Sequence, residues 1–326
     1  MNKLLSLLNW VIRLKQKGEM HDVSKSAEKF KWFSVILEFI QNAIDSSIRR
    51  NKELKLKNSN HKDFPTKIKI SFTKMKFADF SKNFLTEKFK KVLGLSRHNP
   101  NAVNELTGNE NCDLLILEDF NTQGILGDHK RYSPTLENGE DNPIFRFNFY
   151  VGDDEKLDDP DLGGSEGEGK QTFCLSSDIS TFFFFTVRDD GSEYFMGISY
   201  FGIFEFGNSE YKPFMHFGNM TESQDHSNSF WALPIHDEKK IIELKKIFGV
   251  KRNKEPGVSV VIPFINSEVS LDQIREIVCK SYRVPILREK LKVKIAGGDE
   301  INNTTILDFY KKHYCKDEQE QKLTEE

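Results

Sequence analysis

Three short stretches carry the residue types that could do chemistry. The first is Lys31 to Arg50, KWFSVILEFIQNAIDSSIRR, in which Glu38, Asn42 and Asp45 recur at helical spacing. At about 100° per residue, Phe33, Ile36, Leu37, Ile40, Ile44 and Ile48 gather on one face, with the two carboxylates and the amide on the other. No Lys or Arg sits among those three to form the usual i,i+4 pairs. Oxygen ligands without a counter-charge suit a cation such as Mg²⁺, which takes few protein oxygens and completes its shell with water and phosphate. A solvated face of mixed polarity explains the same pattern, so this run decides nothing alone. The second stretch is Leu114-Leu115-Ile116-Leu117, an apolar run that fits a buried strand and ends in Glu118-Asp119-Phe120-Asn121-Thr122-Gln123-Gly124. A carboxylate at the end of a buried strand, followed by turn residues, stands at a site position. The third is Gly163-Gly164-Ser165-Glu166-Gly167-Glu168-Gly169-Lys170, whose backbone N–H groups are open enough to cradle phosphate.

In this order, a helix with E-x-x-x-N, a strand running into D with turn residues, and a G-x-x-G-x-G loop resemble the GHKL superfamily. Its members include type II topoisomerases, ninety-kilodalton heat-shock chaperones, MutL mismatch-repair proteins, MORC proteins and histidine kinases. The likeness is strongest to bacterial ATP-binding proteins with an E-D-F-x-T-x-G-L type motif. Gly257-Val258-Ser259 running into Val260-Val261-Ile262-Pro263 is similar to the late Gly-Thr strand of that fold.

The resemblance implies an α+β class. The expected fold is a two-layer Bergerat sandwich, with a mixed, mostly antiparallel sheet and helices on one face. It implies ATP and Mg²⁺ as cofactors and slow ATP hydrolysis. Glu38 stands where the general base orients water, with a contact to the metal through that water. Asn42 stands at the Mg²⁺ ligand, and Asp45 follows on the same face. Asp119 matches the acceptor for the adenine amino group, with Asn121 and Gly124 in the turn beside it. Gly164, Gly167 and Gly169 match the lid over the phosphates, Lys170 a phosphate contact, and Ser259 replaces the usual Thr. Two departures stand out. The D-x-G-x-G pattern becomes Asp119-x-Asn121-Thr122-Gln123-Gly124, and the lid carries Glu166 and Glu168, whose charge opposes a triphosphate.

In the superfamily, lid closure commonly drives dimerisation or a conformational switch. That implies a homodimer or a partner protein, here in a bacterial stress or phage-defence setting. A MORC- or topoisomerase-like DNA-handling module and a non-hydrolysing nucleotide-sensing module are the alternatives. A P-loop reading of Gly164-x-x-x-x-Gly169-Lys170 fails because Gln171 replaces the metal-binding hydroxyl and an acidic loop precedes it. The eight histidines show no zinc-ligand spacing.

Composition sets the bounds. At 326 residues and 37% hydrophobic, the chain can bury a large core, and 28 Phe dominate it. A net charge of −3 gives no global drive toward nucleic acid or membrane, although DNA contact through a local patch stays open. Cys112, Cys174, Cys279 and Cys315 are scattered, as in a reduced cytoplasmic protein. No run reaches the ~20 apolar residues of a membrane span.

The elements that must position these residues follow from periodicity. Leu4, Leu7, Leu8, Val11 and Leu14 predict an N-terminal amphipathic helix. Phe145, Phe147 and Phe149 alternate like a strand, as do residues 182–187, 194–206 and 258–262, with Asp189-Asp190-Gly191 a hairpin turn. Residues 237–248, 271–282 and 304–314 predict helices, and Leu291, Val293 and Ile295 a strand. Lys290, Lys292 and Lys294 are candidates for a catalytic lysine by location alone. Residues 1–265 then form the ATP-binding domain and 266–316 a partial transducer-like extension. Residues 317–326 form a disordered acidic tail.

Overall fold

A computed structural model of the chain describes residues 8–14, 33–96, 100–149, 169–222, 230–265 and 269–314. In chain order the first half contains β1 (Leu8–Leu14), α1 (Ser34–Lys57), β2 (Thr66–Lys76), α2 (Phe77–Phe84), α3 (Glu87–Leu93), α4 (Ala102–Leu106), β3 (Asn111–Phe120) and α5 (Pro143–Phe149). Next come α6 (Gly169–Leu175), β4 (Thr181–Val187), β5 (Glu193–Tyr200), β6 (Phe204–Phe206), β7 (Ser209–Glu222), β8 (Phe230–Leu233), α7 (Glu238–Phe248) and β9 (Gly257–Pro263). The chain continues through α8 (Leu271–Ser281), α9 (Arg283–Leu287), β10 (Leu291–Ile295), β11 (Glu300–Ile301) and α10 (Ile306–Tyr314).

One sheet of eleven strands organises these elements in the order β1-β7-β5-β4-β9-β3-β2-β10-β11, with β6 and β8 also on β7. Every pairing is antiparallel except that of β10 with β2. The protein is therefore α+β with a mixed, mostly antiparallel sheet. The central strands are apolar on both sides. Leu115 and Leu117 of β3, Val260 and Ile262 of β9, and Phe182 and Phe184 of β4 enter one core. Their neighbours Leu114, Ile116, Val261, Phe183 and Phe185 enter the other. This is why these strands read as continuous apolar runs. The first core lies under α1, α6, α8, α9 and α10, and the second under α2, α3 and α7. Helices thus cover both faces, adding a layer to the two that were expected. Residues 269–314 join the same sheet and the same core: β10 extends β2 from Leu291↔Thr66 to Ile295↔Ile70, and Ile274, Val278 and Ile286 belong to the core cluster that holds the buried face of α1.

Two expectations are overturned. Residues 8–14 are a strand on the edge of β7, not part of an N-terminal helix. Leu8 and Trp10 point into the second core while Val11 enters the first, so period-two alternation against two buried faces overrides the helical spacing of the leucines. Trp10 also donates its indole N–H to the Phe84 carbonyl at 2.7 Å. Residues 143–149 are helix α5, not a strand. The proline at the first helical position needs no N–H partner there, and Ile144 and Phe145 are buried on its inner side.

The long helix α1 lies on the sheet by Val35, Ile36, Phe39, Ile40 and Ala43. Ile48, expected on that face, is 37% exposed because the C-terminal turns run past the core. The apolar stripe is thereby rotated, and Glu38 and Asn42 stand on its flank.

Candidate functional site

Strand parity puts Asp119 on the α1 side of the sheet. It shares that side with Leu115 and Leu117, and Glu118 faces the other way. Asp119 is buried. Thr122 donates its hydroxyl to Asp119 Oδ1 at 2.6 Å, and the Val258 N–H donates to the same oxygen at 2.8 Å. Among the described residues no donor reaches Oδ2, which leaves that lone-pair set for a ligand. Burial pushes the Asp119 carboxyl above its ordinary value, partly countered by the Arg252 guanidinium and the two donors.

The turn after Asp119 is built by close approach. Asn121 takes φ 66°, a left-handed conformation that Asn tolerates better than most residues. Its side chain donates to the Pro65 carbonyl at 2.8 Å. Gly124 is at φ 69°, and a Cβ there would lie 2.3 Å from the Val187 carbonyl oxygen. The Ile125 N–H donates to Thr186 Oγ1 at 2.8 Å, tying the loop to β4. Gly257, at φ 140°, is about as tight: a Cβ would meet Asp119 Oδ1 at 2.4 Å and Arg252 Nη1 at 2.8 Å. Gly257→Ala is expected to lower folding stability by about 1–3 kcal/mol through this overlap and the strained φ. Urea unfolding of the variant measures it, and an unchanged midpoint would contradict the packing described.

On α1, the Asn42 amide donates to Glu38 Oε1 at 2.9 Å, and Gln41 donates to Asp45 Oδ1 at 3.0 Å. Asn42 is exposed and Glu38 half-buried, whereas Asp45 is turned inward. The donation from Asn42 leaves its carbonyl oxygen available to a hard cation, with the Glu38 carboxylate beside it. This donor set fits Mg²⁺. Among the described residues no three His, Cys, Asp or Glu gather to hold a metal by themselves. The start of α6 comes directly onto this pair: a Cβ on Gly169 would lie 1.9 Å from Glu38 Oε1. Phe39 and Phe173 lock the two helices edge to face with centroids 6.5 Å apart. Farther along α1, Arg50 holds Asp189 of the β4–β5 turn through two hydrogen bonds of 2.7 and 3.3 Å.

The remaining expected site residues fall differently. Gly164 and Gly167 lie outside the described residues. Lys170 is buried, with its ammonium 5.1 Å from the centre of the Phe214 ring, and burial pushes its pKa down to about 7. Ser259 is not brought to the site. It pairs with Glu118 across the sheet and faces the opposite side, accepting from Arg252 Nε at 2.7 Å and donating to Glu118 Oε1 at 3.1 Å. The β9 residue on the α1 side is Val258. Lys292 and Lys294 also face away from α1, since Leu291, Val293 and Ile295 fill the core, and Lys290 is paired with Asp63.

Sequence reasoning missed Thr122, Thr186 and Arg252. The two threonines lay in view as hydroxyls at strand ends, where turn hydrogen bonds are common. Arg252, in the run Lys251-Arg252-Asn253-Lys254, resembled a surface loop, yet it is 4% exposed.

No family model matches the chain, and no curated protein does. Among solved structures the chain is similar to the ATPase region of Saccharomyces cerevisiae topoisomerase II, at 12% identity over 94% of this chain and 58% of that one, with TM-score 0.34. It is also similar to the ATPase and transducer domains of DNA topoisomerase II from Balamuthia mandrillaris, at 13% identity over 85% of this chain and 50% of that one, with TM-score 0.36. The chain thus spans 58% of the first and 50% of the second. Matches this loose define no family for the chain. Among the described residues no helix is long and apolar enough to cross a membrane.

Proposed function

We propose that this protein binds ATP with Mg²⁺ and hydrolyses it slowly. The observation that carries the reading is the pairing of two half-sites on one side of the sheet. One is a buried Asp119 whose protein donors both converge on Oδ1. The other is the Glu38–Asn42 pair of α1, against which the glycine-loop terminus Gly169 is pressed. In this reading Asp119 Oδ2 accepts from the 6-amino group of adenine, which places the purine beside the Gly124 turn. The phosphates extend toward Asn42 and the loop ending at Gly169. The Asn42 carbonyl oxygen would hold Mg²⁺, which would supply neutralisation of the phosphate charge. Glu38 orients a water for in-line attack on the γ-phosphorus and takes its proton as the bond to the bridging oxygen breaks, releasing ADP and phosphate. The short distance from α6 to Glu38 supports exclusion of bulk water at that point.

The experiment is thermal unfolding with and without Mg²⁺ and a non-hydrolysable ATP analogue. At a hundred times Kd the ligand is expected to add about 2.7 kcal/mol to the folded state, read as a rise in Tm. No rise at millimolar nucleotide would remove this reading.

A further inference from the structure

We infer that Arg252 is a positioning residue that keeps Asp119 a hydrogen-bond acceptor and so sets the preference for a 6-amino over a 6-oxo purine; this rests on the ATP-binding reading above. Arg252 is buried under the sheet and spends its donors within one small region. Nη1 donates to the Glu255 and Pro256 carbonyls at 3.0 and 3.3 Å, and Nη2 to the Val258 carbonyl at 2.9 Å and to the Asp119 carbonyl. Nε donates to Ser259 Oγ, which bonds Glu118, which in turn pairs with Lys69 at 2.6 Å. The guanidinium plane also lies over the Phe120 ring at 4.3 Å. One side chain therefore fixes the end of β3, the start of β9 and the loop between α7 and β9.

Two consequences for Asp119 follow. The first is geometric: one of the two donors to Oδ1 is the Val258 N–H, and the carbonyls of both Val258 and Asp119 are held by Nη2, so the strand ends cannot drift apart without breaking a charge-assisted bond. The second is electrostatic. Gly257 has no side chain, and a single point beside its Cα lies within 3 Å of both Asp119 Oδ1 and Arg252 Nη1. The positive charge therefore acts on a carboxyl that burial pushes upward, and draws it back toward the ionised form. The other charged groups in reach are Glu118, which opposes ionisation of Asp119, and Glu255 and Glu193, which act on Arg252. An ionised Asp119 only accepts and suits the 6-amino group. A protonated one offers an O–H and suits the 6-oxo group of guanine.

The test measures binding of ATP and GTP against pH for the native protein, Arg252→Met and Arg252→Lys. Removing the charge is expected to move the midpoint of the ATP-affinity profile up by roughly one pH unit or more, because a near opposite charge typically lowers a carboxyl by 1–3 units. The ATP:GTP affinity ratio at neutral pH should fall at least about tenfold. Arg252→Lys keeps the charge without the fork, so its midpoint should stay near the native one while its affinity drops. A purely structural role would weaken both variants and leave both midpoints in place, which overturns the inference. If the Met variant does not fold, a lysine variant with unaltered ATP affinity overturns it equally. A native protein without Asp119-dependent ATP binding takes down the ATP reading and this inference together. Native binding insensitive to Arg252 sinks the inference alone.

Discussion

Asp119→Ala is expected to abolish most of the nucleotide-induced rise in Tm, with ATP affinity reduced by roughly 10- to 150-fold, the range for losing a hydrogen bond to a charged group. The same change strands the Thr122 hydroxyl and the Val258 N–H, which share Oδ1. The variant's own Tm should therefore fall, and the relevant readout is the increment on adding ligand. Asp119→Asn keeps the volume and separates packing from acceptor strength. The pH dependence gives a second signature with a definite sign. Burial raises the folded carboxyl above 3.8, so the native state holds the proton over an interval in which the unfolded chain has lost it. The stability this group contributes is full below 3.8 and is lost as pH rises through the folded value. ATP affinity, which needs the ionised acceptor, rises over that same interval. Free-protein stability and nucleotide affinity should thus move in opposite directions, and parallel movement would argue against Asp119 as the ligand's acceptor.

Glu38→Ala is expected to keep nucleotide binding and lose turnover by about 10²–10⁴-fold, the usual contribution of a general base. The carboxylate is half-buried and accepts from the exposed Asn42, so the variant's ligand-free Tm is read alongside its turnover. Phosphate release under single-turnover conditions checks the loss, alongside the ligand-induced Tm shift that should survive. Turnover equal to native would remove Glu38 from the chemistry. Simultaneous loss of binding would instead mean that the α6 start rests on Glu38 as a prop, since Gly169 is built against that carboxylate.

The parts of this arrangement that were legible in the sequence are those that depend on local pattern. The Glu38 helix, the β3 run ending in Asp119, the Asp189-Asp190-Gly191 turn and the helices α7 and α8 each carry their own periodicity and caps, such as the Ser270–Gln273 capping box. What stayed hidden depends on pairing between distant segments. Ser259 and Val258 differ only in which side of β9 they occupy, and that parity is set by register with β3, Glu118 opposite Ser259. A one-residue slip exchanges the faces. Arg252 gave no signal because its partners are mostly backbone carbonyls brought together by the fold. The strand Leu8–Leu14 carries leucines that also fit a helix, and only the two cores on either side of β7 select the extended form.

That edge strand has a practical consequence. Trp10 is 1% exposed, with the rings of Phe89, Phe183 and Phe217 at centroid distances of 4.7, 6.0 and 5.3 Å. Its indole therefore reports by fluorescence on the seating of a strand that, among the described residues, pairs in the sheet with β7 alone. Detachment of β1 would wet the indole and shift its emission to the red while the inner strands kept their circular dichroism. Peeling of the sheet margin thus becomes visible separately from melting of the centre, where Asp119 lies.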